Sequence, residues 1–359
     1  MNFKVEAQTL KKLCRVFHTG EYPISFEAHL GDPGHVCVSA YDGIKFMQGA
    51  FDADVIEEGE VILSSKYLDR VGPLEGTVMM RCLNKEVTLR DAIRPFHVPL
   101  ITPAGPYLMP ENKKPLGSIT IELDEIKKLI GRVRFATGTK ETMGFGFDCV
   151  FLEFSGDFIK AVGCDRRTLA VAKVPQGSPY RGRFLLPKQG LEVISKLDGH
   201  MTTLTLFDRG VMLSVEGEIM FEIYIPERRG NFPSYEDILK IQANTTMRCS
   251  RDELLSVLAD MSLHSNEVSI AFTFTSYAKQ PPRFRARDPH GAHMERFTGQ
   301  WEGRDLKVKV NAEVIERAVE NISGIVTFRF SNDEGPFSIT SEDDNFVSVL
   351  LPYSCAEKK

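Results

Sequence analysis

The sequence predicts an α+β chain made of three copies of one unit, each with two helices backed by antiparallel sheets. Three recurrences carry this. First, Leu63-Ser-Ser-Lys-Tyr-Leu-Asp-Arg-Val-Gly-Pro-Leu-Glu-Gly76 lines up without gaps on Leu186-Pro-Lys-Gln-Gly-Leu-Glu-Val-Ile-Ser-Lys-Leu-Asp-Gly199, and more loosely on Val310 to Ser323. Leu68 and Leu191 are then equivalent, 123 residues apart, and Leu191 and Ile315 are 124 apart. Second, Ala40-Tyr-Asp42, Gly163-Cys-Asp165 and Ala286-Arg-Asp288 each end an alternating stretch, with 123 residues between successive aspartates. Third, a strand runs into a helix at Phe3 to Leu13, at Ile119 to Leu129 and at Met247 to Val257. A fixed period sets the architecture. The units are 1–116, 117–243 and 244–359, with joints near Lys114-Pro115 and Ala243-Asn244.

Within each unit the elements follow in one order. The opening strand alternates, and the first helix carries apolar residues at helical spacing, as in Leu123, Ile126, Leu129, Ile130 and Val133. Ser250 stands where a helix cap is expected, before Arg251-Asp-Glu. Short alternating strands come next, among them Val36 to Ala40, Leu204 to Leu206 and Met212 to Val215, broken by Asp-Gly, Asp-Arg-Gly and Glu-Gly turns. A second helix, for instance 187–197, follows a strand ending in Leu185-Leu186. Helices packed on one face of a sheet are the layer solution this pattern implies.

Composition narrows the class. With 359 residues, 42% hydrophobic and 26% charged, the chain matches ordinary globular proteins and excludes disordered, collagen-like and disulfide-scaffold classes. A net charge of −5 argues against a surface that is basic all over, but leaves room for one positive face. The seven cysteines are scattered singly with no CxxC pair, so reduced thiols in a cytoplasmic compartment are expected rather than a zinc knuckle or a disulfide framework. No leader and no membrane-crossing run is expected.

No enzyme signature survives inspection: GxxxxGK[ST], GxGxxG after a strand, GxSxG and HExxH are all absent. His290 and His293 lack a third ligand nearby, and zinc takes three or four protein ligands. Cys164, beside Asp165, Arg166 and Arg167, is either a thiol activated by neighbouring cations or a buried strand-end cysteine. Glu122, Asp124 and Glu125 suit the first turn of a helix. The chain is read as a non-enzyme with no metal and no cofactor.

Charge placement is more telling than charge total. The first helices concentrate Lys11, Lys12 and Arg15, then Lys127, Lys128, Arg132 and Arg134, then Arg251 alone; the second helices add Lys66, Arg70, Lys188, Lys196 and Arg317. In one helix this is a solvated face. Repeated at equivalent places, it suggests a shared positive surface able to hold a DNA backbone without reading sequence.

These residues resemble a known family, the bacterial-type DNA polymerase III beta sliding clamp or processivity factor, over essentially the whole chain. The strongest stretch is Phe158-Ile-Lys-Ala-Val-Gly-Cys-Asp-Arg-Arg-Thr-Leu-Ala-Val171, similar to Val-Ala-Thr-Asp-Gly-His-Arg-Leu-Ala, followed by Leu185-Leu-Pro-Lys188. Arg229-Gly-Asn-Phe-Pro-Ser-Tyr235 resembles Gly-Arg-Phe-Pro-Asp-Tyr; Ser265-Asn-Glu267 and Val349-Leu-Leu-Pro352 also match. The resemblance implies three DNA-clamp domains per chain. It also implies a head-to-tail homodimer closed into a ring, with helices lining a hole for double-stranded DNA. Its partners are the replicative DNA polymerase, the clamp loader, repair proteins and other clamp-motif proteins.

Carried over, the DNA-facing residues are Lys11, Lys12, Arg15, Lys127, Lys128, Arg132, Arg134, Lys196 and Arg317. The partner-peptide pocket involves Phe147, Cys164, Arg166, Arg167, Thr168, Leu169, Pro233, Asp237, Ile238, Val349, Leu351, Pro352 and Tyr353. Phe96 and Val98 would meet Leu263 and His264 across the dimer interface, though Phe96 and Leu263 serve equally well as core residues. The chain departs from the family where Gly-His-Arg becomes Arg166-Arg167-Thr168, and where residues 353–359 extend past the usual end. Both changes fall on the pocket, and they suit a phage or a distant lineage. The rival readings are a clamp-fold peptide-binding scaffold that closes no ring, and a hydrolase using Cys164.

Overall fold

The computed structural model describes residues 1–18, 20–101, 114–139, 145–177, 180–263, 283–288, 291–296, 298–320, 322–343 and 345–352, with 261–263, 283–288 and 291–296 as backbone. The chain opens with β1 (Asn2–Glu6), whose Phe3 and Val5 alternate inward, and passes straight into α1 (Ala7–Phe17). Leu10, Leu13, Val16 and Phe17 form the buried stripe of α1, the helical period the sequence predicts. Next come β2 (Pro23–His29), β3 (Gly34–Tyr41), β4 (Phe46–Glu57) and β5 (Gly59–Ser64). A 3-10 helix over Ser65–Val71 leads to β6 (Thr77–Leu83), β7 (Glu86–Arg90) and β8 (Pro95–Pro99).

The second copy runs through β9 (Gly117–Glu122), α2 (Leu123–Arg134), β10 (Cys149–Phe154), β11 (Phe158–Cys164), β12 (Thr168–Pro175) and β13 (Gly182–Pro187). It continues through α3 (Lys188–Leu191), β14 (Met201–Phe207), β15 (Gly210–Val215) and β16 (Met220–Pro226). The third contains β17 (Thr245–Ser250), α4 (Arg251–Leu263), β18 (Arg283–Asp288), β19 (Gly291–Arg296) and β20 (Gly299–Gly303). It ends with α5 (Ala312–Glu320), β21 (Ile325–Phe330), β22 (Phe337–Ser341) and β23 (Phe346–Leu350).

Two helix expectations are refined. The second helix of the first copy is entirely 3-10, and that of the second is one α turn followed by 3-10 over Glu192–Lys196. Such short segments close with i to i+3 bonds, as Gly72 N donates to Asp69 O at 3.2 Å just before Pro73. The first amide of each first helix is bonded by main chain: those of Ala7, Leu123 and Arg251 donate to the carbonyls of Gly76, His200 and Gly324 at 2.8, 2.8 and 3.0 Å. Leu68, Leu191 and Ile315, the first repeat marker, are all buried.

The chain divides into two compact units, one of residues 1–127 and 189–227, the other of 128–188 and 228–359. In the first, a twelve-stranded sheet runs β8-β7-β6-β1-β4-β16-β15-β14-β9, with β2, β3 and β5 joined beside β4. The antiparallel β4–β16 ladder, pairing Phe46 with Tyr224 and Ala50 with Met220, joins the first copy to the end of the second. The second unit holds a nine-stranded sheet, β13-β10-β11-β12-β23-β22-β21-β17-β20. There β12 pairs with β23, and β18 pairs with β19 separately. Gly163 on β11 is fixed by close packing: a Cβ there would lie 2.3 Å from Val133 O at the end of α2.

Candidate functional site

The predicted residues fall into two kinds of chemical setting. The first is that of the basic residues on individual helices. Because α1 turns Leu10, Leu13, Val16 and Phe17 inward, Lys11, Lys12 and Arg15 remain outside. Lys12 Nζ pairs with the Glu218 carboxylate, which also accepts from the Thr9 hydroxyl; these two hydrogen bonds hold Glu218 below the usual carboxylate range. Arg15 pairs with Asp198 and donates to Lys196 O at 3.0 Å, while Lys196 Nζ donates to His18 O at 3.2 Å. Burial, with the charge of Lys45 nearby, pushes the Lys196 ammonium down from its ordinary value.

The same pairing recurs on other helices. Lys127 lies 3.7 Å from Asp124, Arg317 pairs with Glu313 one turn away, and Arg132 lies 3.8 Å from Asp343. The Arg132 side chain is only 13% exposed, against 28% for Lys127 and 55% for Arg317. Lys128 is exposed and Arg134 half-buried. Among the described residues, Lys11 carries no ion pair. The exposed pairs among these contribute about 0–1 kcal/mol each. The sequence pattern missed the acids Glu218 and Asp198 because they come from segments far along the chain.

The second setting is an apolar cluster in the second unit. Phe147, Cys164, Leu169 and Val349, four predicted pocket residues, are buried together with Val162, Val171 and Tyr235. The β12–β23 register sets Leu169 opposite Val349, and Ser348 Oγ donates to Leu169 O at 3.0 Å. Phe145, Phe151, Phe232, Leu239, Ile241 and Val347 pack around this group. Phe151 and Phe232 stack with centroids 5.0 Å apart, and Tyr235 meets Phe232 edge-on at 6.2 Å.

Above this cluster the β11–β12 turn is shaped by Asp165, whose Oδ1 accepts from the amides of Arg167 and Thr168 at 3.0 and 2.7 Å. Thr168 is buried, whereas Arg166 and Arg167 are exposed, and Arg166 adopts φ of 84°. Leu351 N donates to Arg167 O at 3.0 Å, bringing the residue just after β23 to this turn. Ile238 and Leu351 are 45% and 50% exposed, unusual for aliphatic side chains, while Pro233 and Pro352 are half-buried. Asp237 is exposed and pairs with Lys240 at 2.8 Å. Tyr353 lies outside the described residues. Phe232 and Tyr235 fall inside the quoted Arg229 to Tyr235 match, so their segment was legible even though only Pro233 was carried over from it.

Burial pushes the Cys164 thiol up from its ordinary value, with the Asp165 charge adding to the shift against the amides of Arg166 and Asp165. That is the reverse of an activated nucleophile. His290 and His264 lie outside the described residues, as do Ser265 to Glu267. Val98 is fully buried in the first unit among Leu10, Leu13, Leu63, Leu68 and Val71, so it supports β8 from beneath. Phe96 on the same strand is half-exposed, and β8 ends its sheet path. Leu263 closes α4. Among the described residues, no helix is long and apolar enough to cross a membrane.

Repeated strand–helix units with sheets continuing from one copy into the next define a protein of the sliding-clamp fold. The chain matches the DNA polymerase III beta subunit from Thermotoga maritima with a TM-score of 0.85, at 18% identity, over 99% of this chain and 100% of that one. The DNA polymerase sliding clamp from Bacillus subtilis gives a TM-score of 0.83 at 18% identity, over 99% of each chain. In sequence, the chain is 23% identical over 159 residues to the beta sliding clamp of Chlamydia muridarum, which is 44% of this chain and 43% of that protein. The chain thus matches less than half the length of this curated relative. No family model matches it.

Proposed function

We propose that the chain is a DNA sliding clamp that encircles duplex DNA and tethers a replicative DNA polymerase, conferring processivity without catalysis of its own. The observation that carries this reading is the likeness in fold over 99% of the chain to beta subunits of DNA polymerase III. Its three copies, 1–116, 117–243 and 244–359, act as three clamp domains, and two protomers close a cytoplasmic ring head to tail. The basic helix residues face the phosphates, largely neutralised by their own acids. Such a surface holds DNA loosely and lets it slide. The apolar cluster with exposed Ile238 and Leu351 receives a short apolar peptide motif from polymerase, loader or repair partners, and the Arg166 and Arg167 rim favours motifs flanked by acidic residues.

Retention on circular DNA is the test. A loaded clamp stays on a closed circle and is released when the circle is cut, whereas equal loss from both forms refutes encirclement. Sedimentation separates the rival scaffold, because a stable monomer at micromolar concentration is incompatible with the ring. On the inner face, Lys11→Asp is expected to weaken DNA association several-fold at low salt and to reduce the salt slope by about one.

A further inference from the structure

The β2–β3 hairpin carries an arrangement that neither DNA nor peptide binding uses. Its register sets His29 opposite His35 and Glu27 opposite Cys37. Directly opposed residues and those two positions along share a face of an antiparallel pair, so these four side chains form a two-by-two square. All four lie on the outward face, while Ala28 and Val36 between them, and Phe26 and Val38 beside them, are buried.

The side chains converge as the register implies. The His29 and His35 rings stack with centroids 4.9 Å apart and an interplanar angle of 23°. Donor atoms of His29, His35 and Cys37 all lie within 4.8 Å of one another, and Glu27 Oε2 is 3.7 Å from His29 Nε2. Among the described residues this is the one group of three or more such donors gathered at that range. The neighbouring strands add negative charge: β5 sets Glu60 opposite Glu27, and β4 sets Asp52 opposite His35.

We infer that His29, His35 and Cys37, with Glu27 as the fourth ligand, form a binding site for a divalent transition metal of the zinc class. Two imidazoles, a thiolate and a carboxylate are a borderline-soft, four-donor set that suits tetrahedral zinc. Tetrahedral donors at zinc distances stand about 3.4 Å apart, so the His29, His35 and Cys37 donors, within 4.8 Å of one another, close the remaining gap by side-chain rotation on an unchanged hairpin, with Glu27 swinging in from its place beside His29. On binding, the Cys37 S–H bond is replaced by a sulfur–metal bond, and the proton leaves to solvent. The bound ion pins β2 to β3 on either side of the Leu30 to Pro33 turn.

The full-length chain, stripped of metal by a chelator, is titrated with cobalt(II) and then zinc(II). One metal per chain is expected, with a thiolate-to-cobalt charge-transfer band that is absent in Cys37→Ser and unchanged in Cys82→Ser. His35→Asn should lower zinc affinity tenfold or more. A second readout needs no variant: zinc should protect Cys37, but not the half-buried Cys82, from iodoacetamide in peptide mass mapping. Absence of stoichiometric binding, a charge-transfer band that survives Cys37→Ser, or equal alkylation of Cys37 with and without zinc would each overturn the site.

Discussion

The chain contains the same turn twice, and the two versions have been finished in opposite ways. Asp42 Oδ1 accepts from the amides of Ile44 and Lys45 at 2.9 Å, and Asp165 Oδ1 accepts from Arg167 and Thr168 in the same frame. The main-chain bond repeats as well, Asp42 N to Lys45 O at 3.3 Å and Asp165 N to Thr168 O at 3.1 Å. The residue after each aspartate is left-handed, Gly43 at φ 90° and Arg166 at 84°. In the first copy Lys45, 2% exposed, folds back onto Asp42 and closes the turn as a buried ion pair. In the second, two cations stand outside and an apolar cluster lies below. One scaffold thus gives a structural lock in the first copy and an open rim in the second.

The largest expected effect breaks the lock. Lys45→Met leaves Asp42 buried without its cation and should cost about 3–5 kcal/mol in denaturant unfolding, whereas Thr168→Ala at the matching position should cost about 1 kcal/mol or less. Similar losses would show that the two turns are energetically alike. The pH dependence sharpens this. Burial of Asp42 opposes ionisation, but Lys45 and the two amides outweigh it and hold the carboxyl below its ordinary value. A depressed value gives stability that is present above the unfolded pKa, about 3.9, and lost as pH falls through the folded one. In Lys45→Met burial acts with less opposition, so its deficit should be greater at neutral pH than near pH 4, as chemical denaturation at each pH will read.

A smaller effect concerns the left-handed residues. A side chain there costs about 1–2 kcal/mol, so Arg166→Gly should stabilise the fold by up to about 1 kcal/mol while weakening capture of an acidic-flanked peptide. Gly43→Ala, with open space around its Cβ, should lose about 1 kcal/mol from conformation alone. Unchanged melting in both would remove strain from the comparison.

The parallel between these turns was legible because Asp42 and Asp165 sit one period apart, as was the equivalence of Leu68, Leu191 and Ile315, which the fold buries alike. Periodicity along a helix likewise reveals which face of α1 is apolar. It cannot reveal what approaches the other face, since Glu218 reaches Lys12 from a turn beyond β15. The pocket floor was half legible: Leu169 and Val349 stand in motifs, but Phe151 and Phe232 meet only through tertiary packing. Continuation of the first sheet from β4 into β16 left no mark in either strand's own pattern. The square of Glu27, His29, His35 and Cys37 was not legible, because only the hairpin register makes its members neighbours.

The amides of Ala7, Leu123 and Arg251 each anchor the start of a first helix to the loop that follows a second one. Each is a hydrogen that exchanges with solvent only when that copy loosens. The chain therefore carries three matched gauges in the same structural position, one per copy, and their relative exchange rates in deuterium will rank the three copies by local opening free energy within a single experiment.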